Sequence, residues 1–164
     1  MGLREEIANK LSENGSLTPV ELAKEFGVKE YEILQNLPEE IAKAVDANRF
    51  DEIIQEVRDW GELLFVKTTP SFIIEFKTKV ANGKHMKGYY NFDMKDSPMG
   101  GHLKADDIEK IIFVSKKFMG LLSHSIEFYR ADGEVIFKLF LSRNEKREIL
   151  PEQLEAFKKM KARF

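Results

Sequence analysis

The sequence predicts an α+β domain: an antiparallel β-sheet flanked by helices, preceded by a short helical segment arranged like a helix-turn-helix. Three observations carry that expectation. Apolar residues keep a helical period up to Gly61 and lose it afterwards. Turn signals then recur between short runs of β-branched and aromatic residues. And 13 of the 164 residues are phenylalanine, most of them within those runs. The boundaries drawn from this pattern are 1–38 for the helical segment and 39–164 for the α+β domain.

Leu3, Ile7 and Leu11 recur every four residues, and Asn14-Gly15 stops the helix they define. Thr18 is an N-cap, with Pro19 at the first helical position and Glu21 placed to close a capping box. That helix carries Val20, Leu22, Ala23 and Phe26 and ends at Gly27. A shorter one over Glu30 to Leu37 turns Tyr31, Ile33, Leu34 and Leu37 inward and stops at Pro38. Glu40 to Ala47 reads as a short extended stretch, and Asn48 as the cap of a helix with Phe50, Ile53, Ile54, Val57 and Trp60 on one face, closed by Gly61.

Leu63 to Val66 is a continuous apolar run, as in a strand buried on both faces, and Phe72 to Lys77 is the next strand. Asn82-Gly83 signals a turn before Tyr89-Tyr90-Asn91-Phe92; a turn-rich stretch from Asp96 to Gly101 leads to His102-Leu103-Lys104. Ile108 to Ser115, Ser123 to Arg130 and Glu134 to Leu141 are longer strands, the last two joined through Ala131-Asp132-Gly133. A final helix starts at Pro151 with Leu154, Phe157 and Met160 on one face.

The composition removes several function classes. Without cysteine there is no disulfide, iron–sulfur cluster, zinc–thiolate site or thiol catalysis, a usage that fits the cytoplasm. No apolar run approaches the ~20 residues of a membrane span, and the early acidic residues Glu5 and Glu6 do not suit a signal peptide. Charge is uneven: residues 1–48 carry five basic against ten acidic residues, while the remainder has 21 against 18. The helix-turn-helix-like segment is therefore acidic, and a surface of that sign repels the phosphates that supply most DNA affinity, so no nucleic-acid partner is expected.

The remaining chemistry is sparse. His85, His102 and His124 are far apart in sequence, and neither a Gly-rich phosphate loop nor a nucleophile elbow is present. What stays is an aromatic-rich sheet with Tyr89, Tyr90 and His102 near turns and basic residues close by. Tyr and His can hold haem iron and Lys or Arg can pair with propionates, although a strand tyrosine is ordinarily a packed aromatic.

A set of blocks gives this outline a family. Asn36-Leu37-Pro38, Arg49-Phe50-Asp51, Trp60-Gly61, Ile74-Glu75-Phe76, Gly88-Tyr89-Tyr90-Asn91-Phe92, Gly101-His102-Leu103-Lys104, Phe118-Met119-Gly120, Leu141 to Leu150 and Glu152-Gln153-Leu154 occur in order along the chain. In this the sequence resembles the HutX/ChuX family of intracellular haem-utilisation proteins. The resemblance implies a split-barrel or saddle-like sheet, and a cytoplasmic homodimer that carries haem in a cleft and hands it to a haem-degrading enzyme. Haem is then a carried ligand and the protein is not an enzyme. The ligand candidates it implies are His102 and either Tyr89 or Tyr90, with Lys104 beside them. Alternation places Tyr90 with Phe92 and Met94 on the apolar face, which puts it first of the two tyrosines. Two departures matter. Lys67 stands where some members have histidine, and Leu141-Ser142-Arg143-Asn144 keeps only the arginine of a Leu-Gly-Arg-Asp block, leaving Arg143 as a propionate partner or a structural ion pair. A haem-degrading enzyme is the competing function, and a helix-turn-helix regulator the third. The phenylalanine count argues for the dimer, because strands with Phe on both parities need both faces covered.

Overall fold

In the computed structural model, residues 2–118 and 120–164 are described, so Met119 of the Phe118-Met119-Gly120 block lies outside the described residues. Five helices and nine strands are found among them. Helices α1 (Leu3–Glu13), α2 (Pro19–Phe26) and α3 (Glu30–Gln35) come first; β1 (Ala42–Asp46) and α4 (Phe50–Val57) follow. Then come β2 (Glu62–Thr69), β3 (Phe72–Lys79), β4 (Gly83–Met86), β5 (Tyr89–Phe92), β6 (Gly101–Leu103), β7 (Ile108–Phe118), β8 (Leu121–Arg130), β9 (Val135–Phe140) and α5 (Pro151–Arg163). The large sheet runs β1-β7-β8-β9-β2-β3, antiparallel throughout, and a small one runs β4-β5-β6. The large sheet is open, with β1 and β3 as its edges, not a closed barrel.

Period-two alternation gives this sheet two buried faces over all but its edge strand β3, which is largely open. On one, Leu63, Ile111, Phe113, Ile126, Phe128, Phe137 and Leu139 pack under α4, α5 and the small sheet. Four rings form a ladder across it: Phe76 on Phe65, Phe65 on Phe137 and Phe137 on Phe128, with centroids 4.9, 5.4 and 4.4 Å apart. Phe65 faces Phe76, and Phe128 faces Phe137, directly across their strand pairs, which is why the rings stack. On the other face Ala42, Ile112, Val114 and Tyr129 meet Ile7, Leu22, Ile33, Leu34 and Leu37 of the three N-terminal helices.

The N-terminal helices follow the local signals. Thr18 accepts from the Glu21 amide at 3.2 Å while the Glu21 carboxylate accepts from the Thr18 amide at 2.7 Å, and Gly27 ends α2 in the left-handed region at φ 66°. Two expectations shift. Asp46, not Asn48, caps the entry to α4, accepting from the Asn48 amide through a single tight turn over 47–49. Asn82-Gly83 is not the hairpin turn. Gly83 opens β4, where a Cβ would lie 2.4 Å from the Tyr90 ring, and the β4–β5 turn falls on Lys87-Gly88, whose positive φ values of 55° and 81° suit a hairpin.

Polar groups also join α3 to the sheet. Lys138 on β9 lies 2.9 Å from Glu30 and 3.5 Å from Glu127, and Glu127 also accepts from Tyr129 at 2.7 Å and Ser125 at 2.6 Å. Burial works against the charge on Lys138, yet Glu127 and Glu30 hold its pKa above the ordinary value. Burial raises Glu30. Removing the cation leaves the buried Glu127 carboxylate beside the half-buried Glu30 with only the Tyr129 and Ser125 hydroxyls as donors among the described residues, so Lys138→Ala should cost about 3 kcal/mol in urea unfolding.

Candidate functional site

The small sheet lies over one end of the phenylalanine ladder without filling the space beneath it. A cavity of about 290 Å³ remains, lined by Phe65, Phe76, Ile136 and Phe137 from the large sheet and by Phe92, Pro98, Met99, Gly100, His102 and Leu103 opposite. Its walls are apolar, and the size lies at the lower edge of ligand pockets. Ile136 reaches it because β9 carries a bulge there: Phe128 pairs with Phe137 and Tyr129 with Val135, leaving residue 136 over. The Pro98–Gly100 wall is held by Ser97, whose hydroxyl meets Thr78 at 3.0 Å and accepts from the Met99 amide at 3.1 Å.

His102 is the polar group at this cavity, and its chemistry is fixed by a neighbour. Asn91 pairs with it across β5–β6. The Asn91 amide nitrogen donates to the carbonyls of Met86 and Tyr89, each at 3.0 Å, so its oxygen is the atom turned to His102 Nδ1, at 2.5 Å. An amide oxygen can only accept, so in the neutral imidazole Nδ1 carries the proton and Nε2 the lone pair. A histidine held in one tautomer by a second group, exposed and beside an apolar cavity, is suited to binding a metal ion. The Tyr89 ring lies edge-on to it at 6.0 Å, on the same outward face, and is 44% exposed. Among the described residues no three His, Asp or Glu side chains group as a metal site of their own.

The other candidates are placed differently. Tyr90 is 2% exposed and does not line the cavity. Its ring is gripped by Phe50 of α4 at 5.2 Å, His85 at 5.2 Å and Phe92 at 5.1 Å. Its hydroxyl has no partner among the described residues, and burial raises its pKa. Met94, expected on the same face, lies beyond β5 and is 69% exposed. Lys104 follows His102 at the end of β6, exposed and within 3.7 Å of Asp107. Arg143 is not brought to the cavity. It donates to the carbonyls of Arg147 at 2.8 Å and Leu122 at 2.5 Å, tying the stretch before α5 to the β7–β8 hairpin. Leu122 lies six residues along β8 from Phe128, roughly 20 Å at strand rise. Lys67 reaches the Val135 carbonyl at 2.9 Å and supports the bulged strand. His85 bonds Asp51 at 2.6 Å and His124 bonds Ser115 at 2.8 Å, so neither joins His102.

Sequence reasoning did not single out the cavity phenylalanines as a group, nor Asn91 as the orienting residue. The signal for Asn91 was its place in the Gly88 to Phe92 block beside both tyrosines.

Residues 43–160 match the family described as Haem utilisation ChuX/HutX. The chain is 38% identical over 158 residues to the intracellular heme transport protein HutX of Vibrio cholerae, covering 96% of this chain and 82% of that one. The chain belongs to the ChuX/HutX family. Its fold agrees with those solved for relatives. The heme-binding protein ChuX superposes with a TM-score of 0.86 at 30% identity, over 99% of this chain and 98% of that one. A protein from Agrobacterium tumefaciens gives 0.87 at 34% identity, over 98% and 91%. For this ChuX/HutX chain the tautomer is the directly measurable feature of the site. Long-range nitrogen–proton NMR spectra should show His102 as the Nδ1–H form, and Asn91→Ala should move it toward the Nε2–H form that prevails in free imidazole.

Proposed function

We propose that this chain is a cytoplasmic haem carrier, which takes up haem at the cavity beside His102 and passes it to a haem-degrading partner without acting on it. The observation that carries this reading is His102 itself, an exposed imidazole whose Nε2 lone pair is kept free by Asn91 at the mouth of an aromatic cavity. Family membership and the heme-transport name of the HutX relative support it. The residues present fit the group: His102 would hold the iron through Nε2, with Tyr89 as the accessible tyrosine and Lys104 near enough in sequence to meet a propionate. Tyr90 could serve only if β5 moved off Phe50, and Arg143 suits a structural role. Haem so bound supplies no chemistry in transit; a single accessible imidazole leaves it exchangeable, as a carrier requires. No helix among the described residues is long and apolar enough to cross a membrane. Residues 1–38 are read as a cover for the outer sheet face, where Leu22, Ile33 and Leu34 are already buried.

Titrating hemin into the protein should give a saturable Soret change at one haem per subunit. His102→Ala should weaken it by more than about tenfold, and Arg143→Ala should leave it nearly unchanged. Absence of a saturable change would remove the carrier reading, and bleaching of bound haem by a reductant would favour the enzyme.

The homodimer rests on β3. This edge strand leaves Phe72 62% exposed and Ile73 61%, with Ile74 and Phe76 also open, the kind of apolar edge that isolated proteins avoid. Two copies joined antiparallel about Phe76 would set each Glu75 opposite Lys77 of the other copy, and stack Phe76 on its counterpart. Phe76 also lines the cavity, so a second copy would extend a wall that one chain leaves low. Sedimentation at micromolar concentration should give about twice 19.0 kDa, and Ile73→Glu, on an exposed side chain outside the ladder, should return the monomer; a wild-type monomer would overturn the pairing.

A further inference from the structure

A second cavity lies at the other edge of the large sheet, between the chain entering β1 and the last turns of α5. It measures about 320 Å³ and is lined by Glu39, Glu40, Lys43, Lys158, Lys161 and Ala162. Five strand spacings separate β1 from β3, roughly 24 Å, so this cavity is distinct from the one beside His102. Apart from Ala162 every lining residue is charged, with aliphatic stems making the walls and the charged groups at their ends.

Two of its lysines are held in position by the backbone. Lys43 Nζ donates to the Lys161 carbonyl at 3.0 Å, and Lys161 Nζ donates to the Glu40 carbonyl at 3.1 Å. These bonds clamp α5 to β1, and each ammonium keeps two further N–H groups. Lys158, one turn before Lys161 on the same helix face, is exposed with all three. Among the described residues no carboxylate lies within ion-pair distance of any of the three, although Glu39 and Glu40 border the cavity. Three lysines thus border one small open groove with no carboxylate among the described residues at contact distance. The field reaches inward. His124, 6% exposed and packed on Phe157 of α5, has its pKa lowered by burial and then by Lys158, Lys161 and Arg143.

We propose that Lys43, Lys158 and Lys161 form a binding site for a multiply charged oxyanion of the phosphate class. Lysine binds phosphate as a compact point charge with rotatable donors, and two ammonium groups fixed to carbonyls lose little freedom when the anion arrives. Glu39 and Glu40 at the rim limit the affinity and favour an anion carrying several charges, which gains more from the three cations than it loses to the carboxylates.

The test uses the whole protein without haem and inorganic pyrophosphate as the probe, at constant ionic strength, followed by the imidazole resonances of His124. Saturable binding should raise the His124 pKa in part, because the bound anion offsets the contribution of Lys158 and Lys161 while the larger effect of burial stays. Lys158→Gln, on an exposed side chain, should weaken binding about tenfold without unfolding the protein, and Lys161→Gln should do so as well. Haem titration should be unchanged in Lys158→Gln, which separates this site from the carrier site. A His124 response that sodium chloride reproduces at equal ionic strength, or that Lys158→Gln leaves intact, would overturn the assignment.

Discussion

The stack of Phe76, Phe65, Phe137 and Phe128 is the contact on which the rest of the molecule depends. It crosses four neighbouring strands in the order β3, β2, β9 and β8, and therefore fixes their register. A slip by one residue would turn the rings to the opposite face, where the N-terminal helices already cover β8 and β9. Because the ladder sets the register, it also sets which face α4 and α5 cover and where the small sheet can lie. The cavity is the part of the ladder that the small sheet overhangs but does not touch.

Away from the edge strand β3, both faces of the large sheet are buried by different means. One is covered by α4, α5 and a second sheet, a largely apolar contact; the other is covered by three short helices whose own cores are too small to stand alone. The Glu30–Lys138–Glu127 cluster lies within that second contact. A buried ion pair of this kind adds little net stability against an apolar isostere, but it specifies one orientation of α3 on β8 and β9. The acidic charge of the N-terminal segment has one clear use in the fold, since Glu30 is spent on a lysine of the sheet.

The cavity gains its chemistry from a pair of adjacent strands. Asn91 gives its two amide hydrogens to the Met86 and Tyr89 carbonyls at the turn between β4 and β5 and, as a result, offers His102 an acceptor and nothing else. The turn geometry at Lys87 and Gly88 thereby reaches the histidine through one side-chain amide. The same strand that presents Tyr89 outward must turn Tyr90 inward, and Phe50 receives it. Tyr89 is left exposed and its neighbour Tyr90 becomes the peg that holds the small sheet on α4.

Much of this was legible in the sequence. The α+β class, the capping box at Thr18, the stop at Gly27, the Gly133 turn and the family blocks rest on residues within a few positions of one another, and local chemistry fixes them. Alternation also correctly set Tyr90 and Phe92 on one face and Tyr89 and Asn91 on the other. Which of those faces meets a ligand could not follow from alternation, since an apolar face serves equally as core or as cavity wall. Only the tertiary structure separates core from cavity wall on that face, by bringing Phe50, forty residues earlier, onto Tyr90 while leaving a gap beside Phe92. Arg143 and Gly83 are of the same kind. The arginine is consumed by the carbonyl of Leu122, and the glycine is required by a tyrosine ring rather than by a turn; both partners are distant in the chain or on a neighbouring strand, and packing alone selects them.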